Sequence, residues 1–147
     1  MNLRKLSPNP MFIGCLSQEI RDDPLPVAVL WVETSFRPIW IRILEYMYLK
    51  ICEILAPKRA ERITVGLAQM KMWYWKEFMK TKFDKVPSIA DLENPVVNYY
   101  AIKWYFLQNG TMLTLLDVSR IYTGQTNAYY AVLLDGALTQ LGVLTFR

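Results

Sequence analysis

The chain has no histidine among its 147 residues. That excludes imidazole general bases, His-containing nucleophilic triads and His-ligated zinc from anything the chain does alone. Cysteine is scarce: Cys15 and Cys52 are too few and too far apart in sequence for a zinc site. Each reads as a small buried hydrophobe, and a disulfide between them is left open. No run of basic residues is long enough to mark a nucleic-acid site, and no nucleic acid is expected. "PKRAER" (57–62) includes an acid and reads as a solvated loop. Apolar residues make up 53% of the chain, yet charges interrupt every long apolar stretch before it reaches roughly twenty residues. Any chemistry must rest on carboxylates, hydroxyls, amides or phenols, and no metal or cofactor is expected.

The 17 basic and 13 acidic residues leave a net charge of +4, a mild bias toward anionic partners. The length suits one domain with a real core. Near the N-terminus the apolar run before Cys15 is only "MFIG", far short of the core of a signal peptide. The expectation is therefore a phage product, or an effector delivered by a secretion machine or a partner.

Proline punctuates the chain. "SPNP" blocks helix and makes an extended arm of residues 1–10. A short helix is expected over 11–21, and "DDPLP" starts another across 25–35 that Pro38 ends or kinks. A helix over 39–56 stops at Pro57. Its apolar residues Ile39, Trp40, Ile43, Leu44, Met47, Tyr48, Ile51, Ile54 and Leu55 fall on one side, with Arg42, Glu45, Lys50 and Glu53 opposite. Residues 61–83 begin β-leaning, pass Gly66 and become helical; 84–95 form a loop with one turn. Helices over 96–108, 111–122 and 126–141 complete the chain, before a short tail. The fold class is all-α, or α with a minor β element.

Glu33 closes the apolar stretch "VAVLWVETSFRPIW" (27–40). A carboxyl where water is scarce is pushed toward its protonated form and can then give a proton to a leaving oxygen. Taken alone, it better fits the exposed side of an amphipathic helix. In "VGLAQMK" (65–71), Gly66 permits close backbone approach and Gln69 offers an amide donor and acceptor. That too is unremarkable by itself. In "MKMWYWKEF" (70–78), Met70, Trp73 and Phe78 read as core rather than as rings for stacking.

Taken in order, four pieces resemble one pattern. Glu33-Thr34-Ser35-Phe36, Gly66-Leu67-Ala68-Gln69, Asn94-Pro95 with Asn98, and Tyr122-Thr123-Gly124 followed by Tyr129 and Tyr130 are similar to the motifs of the lytic transglycosylase and goose-type lysozyme family. That family reads E-S-x-F, G-L-M-Q, D/N-P-x-x-N and Y-N-G before a tyrosine-bearing helix. The chain departs from it at Thr34, Ala68 and Thr123. Glu33 and Gly66 also lie 33 positions apart, a longer spacing than the family's, so the 39–56 helix would be an insertion.

The resemblance implies a single lysozyme-like domain over 1–147, acting on peptidoglycan glycan strands in the bacterial cell envelope. Glu33 would be the acid/base at the bond between N-acetylmuramic acid and N-acetylglucosamine. Gln69 would hold an N-acetyl group, and Tyr122 would hydrogen-bond the acid or a substrate oxygen. Ser35, Thr123 and Tyr129 would line the substrate groove. Ordinary glycosidases use two carboxylates; Glu45, Glu53 and Glu61 are the candidates for a second, and no acid adjoins Glu33. The rival reading is a non-catalytic interaction protein on a decayed lysozyme-like scaffold. In either case the 39–55 helix is expected to leave apolar side chains exposed, for a membrane surface or a protein partner.

Overall fold

The structure, a computed structural model, describes residues 15–110 and 114–145, with side chains described as far as Gly142. The arm expected over 1–10 and the first residues of the helices expected over 11–21 and 111–122 lie outside the described residues.

From Pro24 to Val32 the sequence has no charged or hydroxyl-bearing residue, so a helix there has no side to present to water. The chain resolves this by placing it centrally. After α1 (Ser17–Asp22), Asp23 caps α2 (Pro24–Ser35), its carboxylate accepting from the Leu25 N–H at 3.2 Å. Every residue from Pro26 to Val32 is buried, and α1, α7 (Pro95–Gln108) and α9 (Ala128–Thr145) pack around α2.

Pro38 breaks the chain before α3 (Ile39–Leu55). Pro57 then takes the first position of a short helix, α4 (Pro57–Ala60), where its missing N–H costs nothing. The solvated loop expected at 57–62 is thus helical over its first turn. The β-leaning patch becomes a small antiparallel hairpin. β1 (Thr64–Val65) pairs with β2 (Met70–Lys71), Thr64 opposite Lys71 and Val65 opposite Met70. These are the only strands among the described residues. The fold is all-α with a minor β element.

Next come α5 (Met72–Phe83) and the short α6 (Ile89–Leu92), which is closed by a Ser88–Asp91 capping box. Asn94 caps α7, accepting from the Val96 and Val97 N–H groups at 2.9 and 3.3 Å, with Pro95 in its first turn. A Thr114–Asp117 capping box starts α8 (Leu115–Thr123), and Gly124 ends it at φ 84°. Gly142 does not end α9, which runs four residues past the expected stop at 141 to Thr145. Between α5 and α7 the core is aromatic. Tyr74 meets Tyr105 edge-on at 5.1 Å and donates to the Ala101 carbonyl at 2.7 Å, and Phe78 meets Trp104 at 5.7 Å.

Two expectations change. Cys52 is buried, but Cys15 is exposed, and both are free thiols. Met70 and Phe78 are core, whereas Trp73 is 46% exposed, because α5 turns it away from the Tyr74–Trp75 side. The exposure expected of the apolar residues of α3 is present. An amphipathic helix usually turns its apolar stripe inward. Here Tyr46, Leu49 and Cys52 face the protein, while Trp40, Ile43, Met47 and Ile51 are 61, 51, 57 and 53% exposed. The polar side is held instead. Arg42 pairs with Glu93 at 2.9 Å and donates to the Arg37 carbonyl at 2.7 Å, which fixes the break between α2 and α3.

Candidate active site

The last turn of α2 carries the acid. The Thr34 and Ser35 hydroxyls donate back to the Leu30 and Trp31 carbonyls at 2.7 and 2.6 Å. Ser35 is exposed, and its described hydrogen bond serves the helix end. Glu33, one residue before this pair, is partly buried and accepts a hydrogen bond from the Tyr130 hydroxyl at 2.9 Å. Burial pushes the Glu33 carboxyl above its usual range. The Tyr130 hydrogen bond and the positive charge of Arg37 pull it partly back.

Tyr130 is placed by the start of α9. Its N–H donates to the Asn127 side chain at 3.0 Å, and the Asn127 N–H is anchored on the Ser119 hydroxyl at 3.0 Å. One helical position is a turn of about 100°, so buried Tyr130 meets Glu33 while neighbouring Tyr129 is exposed.

Tyr122 lies parallel to Tyr130, with ring centroids 6.3 Å apart and planes 17° apart. The hydroxyl expected on the acid or on a substrate oxygen is donated to the Ala68 carbonyl. Tyr122 thus grips the hairpin turn, and Tyr130 supplies the phenol for Glu33. Burial, and then the Glu33 charge, push both phenols well above their usual range, so both stay protonated donors. Thr123 is exposed, its hydroxyl 2.6 Å from the Ser119 carbonyl and 2.9 Å from that of Gln125.

The turn at 66–69 is tightly determined. Gly66 has φ 82°, and a Cβ there would lie 3.0 Å from the Leu92 carbonyl oxygen and 3.3 Å from the Trp75 ring. Gln69 has φ 54°, uncommon for a residue other than glycine. Fully buried Asn98 holds this backbone: the Ala68 N–H donates to its Oδ1 at 2.9 Å, and its Nδ2 donates to the Leu92 and Asn94 carbonyls at 2.9 and 2.7 Å. Asn94, Pro95 and Asn98 therefore start α7 and lock the turn from one side.

Gln69 uses its amide inside the protein. Its Nε2 donates to Glu45 Oε2 and to the Gly66 carbonyl, both at 3.0 Å, and its Oε1 accepts from the Thr64 hydroxyl at 3.3 Å. Glu45, from the inward side of α3, also pairs with Arg37. Two routes thus join Glu33 to Gln69: one through Tyr130, Tyr122 and Ala68, the other through the field of Arg37 and its ion pair with Glu45. The other candidate second acids are engaged on the surface, Glu53 with Lys50 at 3.1 Å and Glu61 with Lys76.

Gln69 and Tyr122 line one cleft with Trp73, Tyr74 and Tyr105, of about 140 Å³. Complete ligand sites usually measure about 300–1,000 Å³, so this cleft suits a single substituent. Glu33 is not among its lining residues. Among the described residues no group of Cys, Asp and Glu could hold a metal ion.

The roles of Arg37, Glu45, Tyr130 and Asn98 escape a reading of the sequence. Asn98 stood in a motif without a task, and Tyr130 was one of an adjacent pair. Arg37 and Glu45 are eight positions apart, across a helix break, with no local pattern to join them.

No protein-family model, curated protein or solved structure matches the chain.

Proposed function

We propose that the protein cleaves peptidoglycan glycan strands between N-acetylmuramic acid and N-acetylglucosamine, with Glu33 as the single acid/base. One observation carries this reading: a partly buried carboxyl at the end of an apolar helix, held by a phenol and pushed toward its protonated form. Such a group can protonate the glycosidic oxygen as the bond to the muramyl carbon breaks. The carboxylate left behind can then take a proton from the muramyl 6-hydroxyl, closing a 1,6-anhydro ring, or from water. Gln69 and the 140 Å³ cleft beside it suit an N-acetyl group. The ordered motifs supply the substrate class.

A specific observation favours a second reading. The Gln69 amide is already taken by Glu45 and Gly66, so a glycan must displace Glu45 or use the open edge of the cleft. That is the arrangement expected of a non-catalytic interaction protein on a lysozyme-like scaffold.

The two are separated by incubating purified peptidoglycan with wild type and with Glu33→Gln at equal folded concentration, then weighing the released muropeptides. Release by wild type, lowered about 10²- to 10⁴-fold or more in the variant, is the expected result. Equal release by both removes Glu33 from the mechanism. No release by either favours the interaction protein.

A further inference from the structure

We infer that α3 seats this protein on an anionic lipid bilayer surface, lying in the interface with its apolar side down. The helix has 17 residues, about 25 Å at 1.5 Å per residue, and no described helix is long and apolar enough to cross a membrane. Its outward side displays Trp40, Ile43, Leu44, Met47, Ile51 and Ile54, each more than half exposed. A contiguous apolar strip of this kind marks an interaction site rather than scattered surface.

Charge identifies the occupant. The helix's two carboxylates are both engaged, Glu45 by Arg37 and Gln69, and Glu53 by Lys50. At the C-terminal end of the strip, Lys58, Arg59 and Arg62 are exposed and form one open depression with Tyr48 and Ile63. The Arg59 guanidinium lies 5.8 Å from the centre of the Tyr48 ring. None of these three cations has an ion pair among the described residues. An apolar strip with an aromatic flank and a basic end matches acyl chains beneath phosphate headgroups. A second copy fits less well. Parallel self-pairing sets the three cations against themselves, and the carboxylates of the helix, Glu45 and Glu53, are already engaged.

The test is flotation of the full chain with vesicles of equimolar phosphatidylglycerol and phosphatidylcholine, against vesicles of phosphatidylcholine alone, at low and high salt. The expected result is binding to the anionic vesicles that weakens with salt. Lys58→Gln/Arg59→Gln/Arg62→Gln should bind about 100-fold more weakly, at about fivefold per cation. Ile43→Asn/Met47→Asn/Ile51→Asn should lose at least as much. All six side chains are exposed, and circular dichroism with thermal melting verifies that both variants fold. Glu33→Gln should float like wild type, so this result stands or falls apart from the catalytic reading. Absence of flotation, flotation indifferent to lipid charge, or full binding by either triple variant overturns the inference. A dimer that sediments and ignores lipid overturns it too, and assigns the strip to a second copy.

Discussion

Replacing Asn98 by alanine should cost about 4 kcal/mol, and the arithmetic follows from what each partner has left. The Leu92 carbonyl still accepts from the Leu67 N–H at 3.1 Å, and the Asn94 carbonyl from the Asn98 N–H at 3.0 Å. Each therefore loses one of two hydrogen bonds, at about 1 kcal/mol apiece. The Ala68 N–H has Asn98 Oδ1 as its partner in a fully buried position, and an orphaned buried donor costs about 1–3 kcal/mol. In a domain of this size the sum should lower Tm by about 12 °C. Asn98→Asp sharpens the test. It keeps the acceptor for Ala68 but faces a carboxylate with two carbonyl oxygens, so its folded pKa is raised. Its stability is then present at acid pH, where the protonated group can donate once, and is lost as pH rises through that pKa. Thermal unfolding of both variants from pH 4 to pH 8 reads this directly. A loss under about 1 kcal/mol for Asn98→Ala, or a pH profile for Asn98→Asp parallel to wild type, would refute the account of Asn98 as the clamp on the turn.

Burial raises the Glu33 carboxyl, so the folded protein holds its proton to higher pH than the unfolded chain, and this group's contribution to stability falls as pH rises between the two pKa values. Thermal melts of wild type and Glu33→Gln should therefore diverge in the variant's favour as pH increases, and parallel curves would contradict the burial. Tyr130→Phe removes a hydrogen bond that favours the charged acid. The Glu33 pKa should rise further and carry the alkaline limb of the pH–rate profile for muropeptide release upward; a downward move would mean that Tyr130 does not act on the acid. Gly66→Ala meets both a positive φ and the Leu92 carbonyl at 3.0 Å, so it should destabilise by at least about 1–2 kcal/mol in chemical denaturation, whereas a neutral change would show that the turn can relax.

Local chemistry made most of the helices legible. Asp23 with Pro24, Asn94 with Pro95, and the break at Pro38 act on their own backbone, and the structure starts α2 and α7 at the first two pairs and α3 directly after Pro38. The ambiguity at 61–71 was also local. Two-residue strands carry too short a period to read, and the hairpin exists because Gly66 can take a positive φ and Asn98 holds the turn from a distant helix.

The sequence alone determined that Glu33 ends an apolar helix, but left open whether its carboxyl faces water; packing beneath Tyr130 decided that. The sequence likewise determined that α3 has one apolar and one polar side. Periodicity relates the sides of a helix to one another, but not to the rest of the molecule. The exposure of the apolar side was expected, but only tertiary packing decided that Arg42 and Glu45 turn inward beside Tyr46, Leu49 and Cys52, placing Glu45 on Gln69. Packing alone also chose Tyr130 for the acid and sent Tyr122 to the Ala68 carbonyl, since a contact across 97 positions depends on how α2 and α9 lie together. A rotation of about 100° per residue is enough to exchange one tyrosine for its neighbour.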